Sequence, residues 1–438
     1  MKKLLVLFFI SLLTIYIQAQ MTVSGTYVEY KENLTGTGVD KVYLFSTLNN
    51  ATITYSSSAV SISFYRYTNA LGDKEKISDS DISTSSSDNV TTYIISNLQD
   101  SRGYLVEENG GTSAPVWIID YSQHQPVLNS IEAIENEDKC ERIKLFINKS
   151  DDELTFYGVS GNKKNIPRKY TISYTDQEWD ESNRIFKNKV VELKDKEIGT
   201  EIIISAPLTN TQFKLEGDQF AEKFDLAKEI ISQPYTAIAV EPHIIAEKEE
   251  RNVPNEMKTE NGGSIGGSAP FVVNFSGYSN EPVTAYYTWF IYNKKDLVNP
   301  IVRYTDKNIK YTFEQSGDFL VTLEAADHNS VCVDTVSISV KVTVSELQKP
   351  PNYFTPDDTP GVNDEFRVAY KSLIKFKCTI FNRWGTKLYQ WTDPAKGWDG
   401  RYNGKYVNTG VYFYVIEALG SDGVKYKMGG DINILRKR

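Results

Sequence analysis

The feature that most constrains this chain is a short two-residue alternation, repeated along its length. Residues 22–30 read Thr-Val-Ser-Gly-Thr-Tyr-Val-Glu-Tyr, and comparable runs follow at 42–45, 51–55, 60–65, 92–95, 103–106 and 115–119. Successive side chains of a strand point to opposite faces, so this period describes strands with one buried side. Asn49-Asn50, Asn109-Gly110-Gly111 and a Ser-rich stretch from 78 to 87 punctuate the runs as turns or loops. The composition agrees. Tyr (28) and Phe (20) are abundant beside many Thr, Val and Ile, the residue types that suit a pleated sheet. Strands that short cannot bury a face alone. The chain is therefore predicted to be all-β, built from tandem immunoglobulin-like β-sandwich domains.

At 438 residues the chain is long enough for several such units. It opens with Lys2-Lys3, an apolar run over 4–17 and Gln18-Ala19-Gln20, the pattern of a signal peptide (1–19) cleaved after Ala19. No Cys follows the cut, so a lipid anchor is not indicated, and no later run has the length of a membrane-spanning helix. The predicted domains are an N-terminal sandwich at 20–125, a second at 126–250, a charged and Gly-rich linker at 251–268, a third unit at 269–346 and a last at 347–438. Within the first, the polar 69–88 segment is read as a solvated connection, with a recognition loop as the alternative. Within the second, the 219–231 stretch is read as one short helix or an irregular edge. Trp179, set among acids, is read as a core side chain; stacking on a sugar or on a neighbouring domain are the alternatives.

Little in the chain points to chemistry. The net charge of -9 argues against nucleic-acid binding. Cys140, Cys332 and Cys378 are far apart and read as buried thiols, with room for at most one bridge whose pairing is open. His124, His243 and His328 lie away from one another and from Cys, so the usual metal-binding spacings are missing. No His-Glu-x-x-His helix occurs. Paired carboxylates are too common in the chain to single out a site, Glu178 with Asp180 being one such pair. One loop, 355–366, holds Asp357, Asp358, Asn363 and Asp364 around Gly361. These are oxygen donors suited to Ca²⁺, though a solvated acidic turn is the simpler reading and Pro360 narrows the loop's shapes. No other cofactor is suggested.

The last ninety residues carry the most specific text. They include Asn352-Tyr-Phe-Thr-Pro356, Ile380-Phe-Asn-Arg-Trp-Gly385, Gly397-Trp-Asp-Gly400, Asn403-Gly404, Thr409-Gly-Val-Tyr-Phe-Tyr-Val415 and Gly430-Asp-Ile-Asn-Ile-Leu435. This series resembles the gliding-motility-associated C-terminal domain of Bacteroidota proteins, the type B sorting domain of the type IX secretion system. The resemblance implies recognition by the type IX translocon, attachment to an outer-membrane protein of the SprF/PorP type, and a place at the cell surface or outside the cell. Residues 269–346, through Tyr287-Thr-Trp289, Tyr311-Thr-Phe313 and Ser316-Gly-Asp-Phe-Leu-Val-Thr-Leu323, resemble a PKD domain with Trp289 in its core. Trp384 and Trp398 are expected to be core residues of the last domain, which is expected to be a compact antiparallel sandwich. The functional expectation is a non-catalytic surface protein, serving adhesion or the gliding and secretion machinery, whose far-end ligand is unknown. A secreted glycan- or peptide-active enzyme with a PKD spacer is the alternative.

Overall fold

The computed structural model describes residues 20–87, 89–259, 265–358 and 361–436. The predicted signal peptide lies outside these residues. Among the described residues strand predominates, with one short α-helix, Gln219–Lys223.

The first module packs a four-stranded sheet (Thr22–Ser24, Thr52–Ser57, Val90–Ile95, Ile82–Ser87) on a larger one centred on Val116–Asp120. Between them lie Tyr43, Phe45, Ile53, Tyr55, Phe64 and Ile118. Val116–Asp120 pairs in parallel with Lys41–Phe45, and all five of its residues are buried. Its text, Val-Trp-Ile-Ile, is continuously apolar because both faces are covered. Residues 69–87 are more ordered than their Ser content suggests. They hold two 3-10 turns and contribute Glu75–Lys76 and Ile82–Ser87 to different sheets. Asp73 organises the first turn by accepting the Thr68 and Asn69 N–H groups at 3.1 and 2.9 Å.

The second module has a three-stranded sheet (Val127–Ile134, Arg142–Ser150, Glu201–Ser205) facing a four-stranded one (Ile185–Lys196, Tyr170–Asp180, Lys214–Gly217, Lys228–Ile231). The 219–231 stretch divides: its first turn is the helix, capped by Asp218, and its end is the edge strand Lys228–Ile231. The hairpin Leu154–Tyr157 and Lys163–Ile166, together with the helix, leaves this sandwich and lies on the first one. Leu154, Phe156, Ile166 and Phe220 pack with Val42, Leu105, Trp117 and Ile119 in one cluster. The first two modules therefore share a core.

The third module takes its first strand, His243–Lys248, from the segment assigned by sequence to the second; it pairs with Phe271–Tyr278. Ile265–Gly267, inside the expected linker, pairs in parallel with Val333–Val342. Charge and glycine content suggested a loose connection, but the backbone finds sheet partners on both sides of it. Trp289 is fully buried between the sheets, against Phe275, and its indole N–H donates to Asp306 O at 3.0 Å.

The last module is one five-stranded sheet in the order Tyr353–Phe354, Lys425–Ile434, Gly410–Gly420, Leu373–Phe381, Lys387–Trp391, covered by loops, the short hairpin Arg401–Tyr402 with Lys405–Tyr406, and the two-stranded pair Glu346–Leu347 with Tyr370–Lys371. Its first pairing is parallel rather than antiparallel, since the chain enters alongside its own end. Phe354, Phe366, Trp391, Trp398 and Tyr414 fill the space beneath the sheet.

Candidate functional site: the turn end of the C-terminal module

The two tryptophans of this module have opposite fates. Trp398 is fully buried, as expected, and its N–H donates to Arg401 O at 2.9 Å. Trp384 is 73% exposed, contrary to expectation. It sits at the tip of the turn joining Leu373–Phe381 to Lys387–Trp391. Asn382 builds that turn: its Oδ1 accepts the N–H groups of Trp384 and Thr386 at 3.0 and 2.9 Å, and its own N–H donates to Thr386 O at 3.0 Å. Gly385 follows at a φ of 81°, a conformation open to glycine at little cost. The side chain is thus held outward by a defined turn. The signal that could have found it is Asn-x-x-Gly around the Trp, a turn pattern and not a strand pattern.

The Arg383 guanidinium lies over the Trp384 ring at 4.2 Å. The pair borders a shallow groove of about 510 Å³, whose lining includes Leu388, Tyr402, Lys405, Val411 and Tyr412. Tyr412 is fixed by donation from its hydroxyl to Asn408 O at 2.9 Å, and burial pushes its pKa up. Arg401 and Arg436 lie over Tyr406, itself part of the lining, at 4.2 and 4.8 Å. No carboxylate lines the groove. Tyr402, Val411, Phe413 and Val415 are each more than two-fifths exposed.

The acidic loop is arranged as a turn. Asp357 and Asn363 adopt left-handed backbone angles of 67° and 59°. Asn363 O accepts the Thr355 N–H at 2.9 Å, and Asp364 Oδ2 accepts the Gly361 N–H. Among the described residues, no group of three or more His, Cys, Asp or Glu is gathered where it could hold a metal ion. Glu178 and Asp180 are each engaged by a lysine of the neighbouring strand, Lys189 and Lys187. Asp180's pKa is lowered, first by its hydrogen bond to Lys187 and then by those from Asn183.

Elsewhere, the side chains singled out from sequence prove to join modules. Trp179 is half-buried and stacks on His243 of the third module, centroids 4.5 Å apart and planes 11° from parallel, with Tyr278 at 5.2 Å. Cys140 and Cys332 are bonded to each other across the same seam, with Cα atoms 5.4 Å apart at a sequence separation of 192. That corrects the reading of three free thiols; only Cys378 is one, buried, with its pKa raised by burial. Between modules one and two, Asp218 is fully buried. It accepts from Arg168 Nη1 at 2.6 Å and from the Tyr121 hydroxyl at 2.5 Å. Beside it His124 Nε2 meets Asp100 Oδ2 at 2.9 Å. That hydrogen bond, opposed by burial, raises the His124 pKa.

Residues 348–434 match the family described as the CHU_C type IX secretion signal domain, and residues 132–232 match a fibronectin type III domain. No match is found among curated proteins. Similar solved structures include Sidekick-1 immunoglobulin domains 1–5 (14% identity, TM-score 0.24, covering 96% of this chain and 81% of that one). The mouse nectin-like molecule 4 ectodomain Ig1–Ig3 gives 7% identity and a TM-score of 0.20, covering 69% and 96%. Dimeric latent PorU from Porphyromonas gingivalis gives 11% and 0.17, covering 75% and 36%. Both matched families are non-catalytic modules. The secretion signal marks the chain for type IX export to the cell surface or extracellular space, and implies contact with the secretion machinery.

Proposed function

We propose that this is a non-catalytic surface protein in which three β-modules hold an N-terminal recognition end away from the outer membrane. The last module then serves twice, for translocation and for attachment to an outer-membrane protein of the SprF/PorP type. The observation that carries this reading is the last module itself. The residues that match a secretion signal form a folded sheet with its own aromatic core, so the address is a surface and not a linear peptide. The joined seams support the spacer role: a shared core between modules one and two, and a disulfide between two and three. The third module acts as a PKD-like spacer around Trp289. Its role is adhesion or a fixed part in gliding or secretion, in a bacterium of the Bacteroidota. Appending residues 347–438 to a periplasmic reporter tests the reading. The reporter is expected at the cell surface in a type IX-competent strain and in the periplasm of a translocon mutant; a reporter retained in both strains contradicts it.

A further inference from the structure

We propose that the Trp384 groove takes an extended acidic segment of a protein partner, an inference that rests on reading the last module as the docking end of the chain. Of the six tryptophans, Trp117, Trp289, Trp391 and Trp398 are buried and Trp179 is half-buried in a seam; Trp384 faces solvent. Its turn is fixed by three hydrogen bonds through Asn382, so a partner meets a side chain already in place and little ordering cost remains. Trp, Tyr and Arg are also the residue types that dominate binding energy at interfaces.

Charge selects the class of partner. Arg383 and Lys405 line the groove, and Arg401 and Arg436 lie over Tyr406, another lining residue. Asp399, 3.6 Å from Arg401, and Asp431, opposite Phe413 across the strand pair, lie outside the lining. The whole chain carries 57 acidic and 48 basic residues, so a groove lined by cations and no acids runs against its composition. It would attract an anionic ligand and orient it on approach. The apolar stripe decides between an acidic peptide and an acidic glycan. Val411, in the groove, continues into Phe413 and Val415 on the same face of strand Gly410–Gly420. Such a stripe seats the apolar side chains of an extended peptide, and offers the hydroxyls of a sugar no hydrogen bond. From Val411 to Val415 it runs about 13 Å, the length of four extended residues.

The test uses the secreted chain, residues 20–438, and a fluorescein-labelled dodecapeptide of Glu with interspersed Leu and Phe. Controls are the same peptide with Lys for Glu, and labelled polygalacturonate. Saturable binding of the Glu peptide that falls with added salt is expected. It should weaken at least about tenfold in Trp384→Ala and in the Arg383→Glu, Lys405→Glu double variant. An unchanged unfolding temperature in each variant shows that the module still folds. No saturable binding of the Glu peptide, equal binding of the Lys peptide, or Trp384-dependent binding of polygalacturonate alone overturns the proposal. A chain that reaches the surface without residues 347–438 would instead overturn the export reading, so the two failures are distinct.

Discussion

At the scale of single residues, the strongest commitments are the polar groups sealed between the first two modules. Asp218 has no exposed surface, and its charge is balanced by Arg168, whose other contacts are carbonyls of His124 and Asp152. Arg168→Ala leaves that carboxylate buried and uncompensated, a loss of about 3–5 kcal/mol. Calorimetry of the full chain should show the transition of the first two modules moving to lower temperature. His124 makes the same seam pH-dependent. It faces Asp100, Asp152 and Arg168, and its pKa is raised above the ordinary 6.5, first by the hydrogen bond to Asp100. A raised folded value means that its contribution is complete below the unfolded pKa, and is lost as pH rises through the folded one. Unfolding temperatures measured from pH 6 to 9 should therefore fall more steeply for the native chain than for His124→Gln. None of this was legible beforehand. Asp218, Arg168 and Tyr121 are far apart in sequence, and only the fold brings them together.

At the scale of elements, strand alternation could be read because each sandwich buries one face of most strands. Where it failed, a second surface had intervened. Val116–Asp120 lost its alternation to the neighbouring module, and His243–Lys248 was claimed by the wrong sandwich because its partner, Phe271–Tyr278, lies beyond the charged linker. Trp384 was misplaced for a related reason: hydrophobicity suggested core, while the Asn and Gly around it defined an exposed turn. The two tryptophans of the last module should therefore respond differently to truncation. Trp398→Ala opens a cavity beneath the five-stranded sheet and costs about 3–5 kcal/mol. Its loss should unfold the module and retain the chain inside the cell. Trp384→Ala should leave the unfolding temperature unchanged. Limited proteolysis of both variants separates the cases.

At the scale of the molecule, the modules are joined at every seam. Ser268, Ser372, Ser345 and Asp422 hydrogen-bond across the third and fourth, and Asn255 reaches Ala395 O at 3.0 Å. Cys140–Cys332 closes the seam between the second and third, where the spacing of the cysteines gave no hint of pairing. An exported protein meets the oxidising conditions that keep such a bridge. Non-reducing peptide mapping should find that pair joined and Cys378 alkylated only after unfolding. Reduction should raise protease cleavage near 241–243 while Trp179 still stacks on His243. The account as a whole depends on the last module acting as a folded address. The direct measurement is surface protease accessibility in cells that express the chain with and without residues 347–438. The intact chain is expected to be cleaved on whole cells, and the truncated one to be protected in the periplasm. Equal cleavage of both would contradict the account.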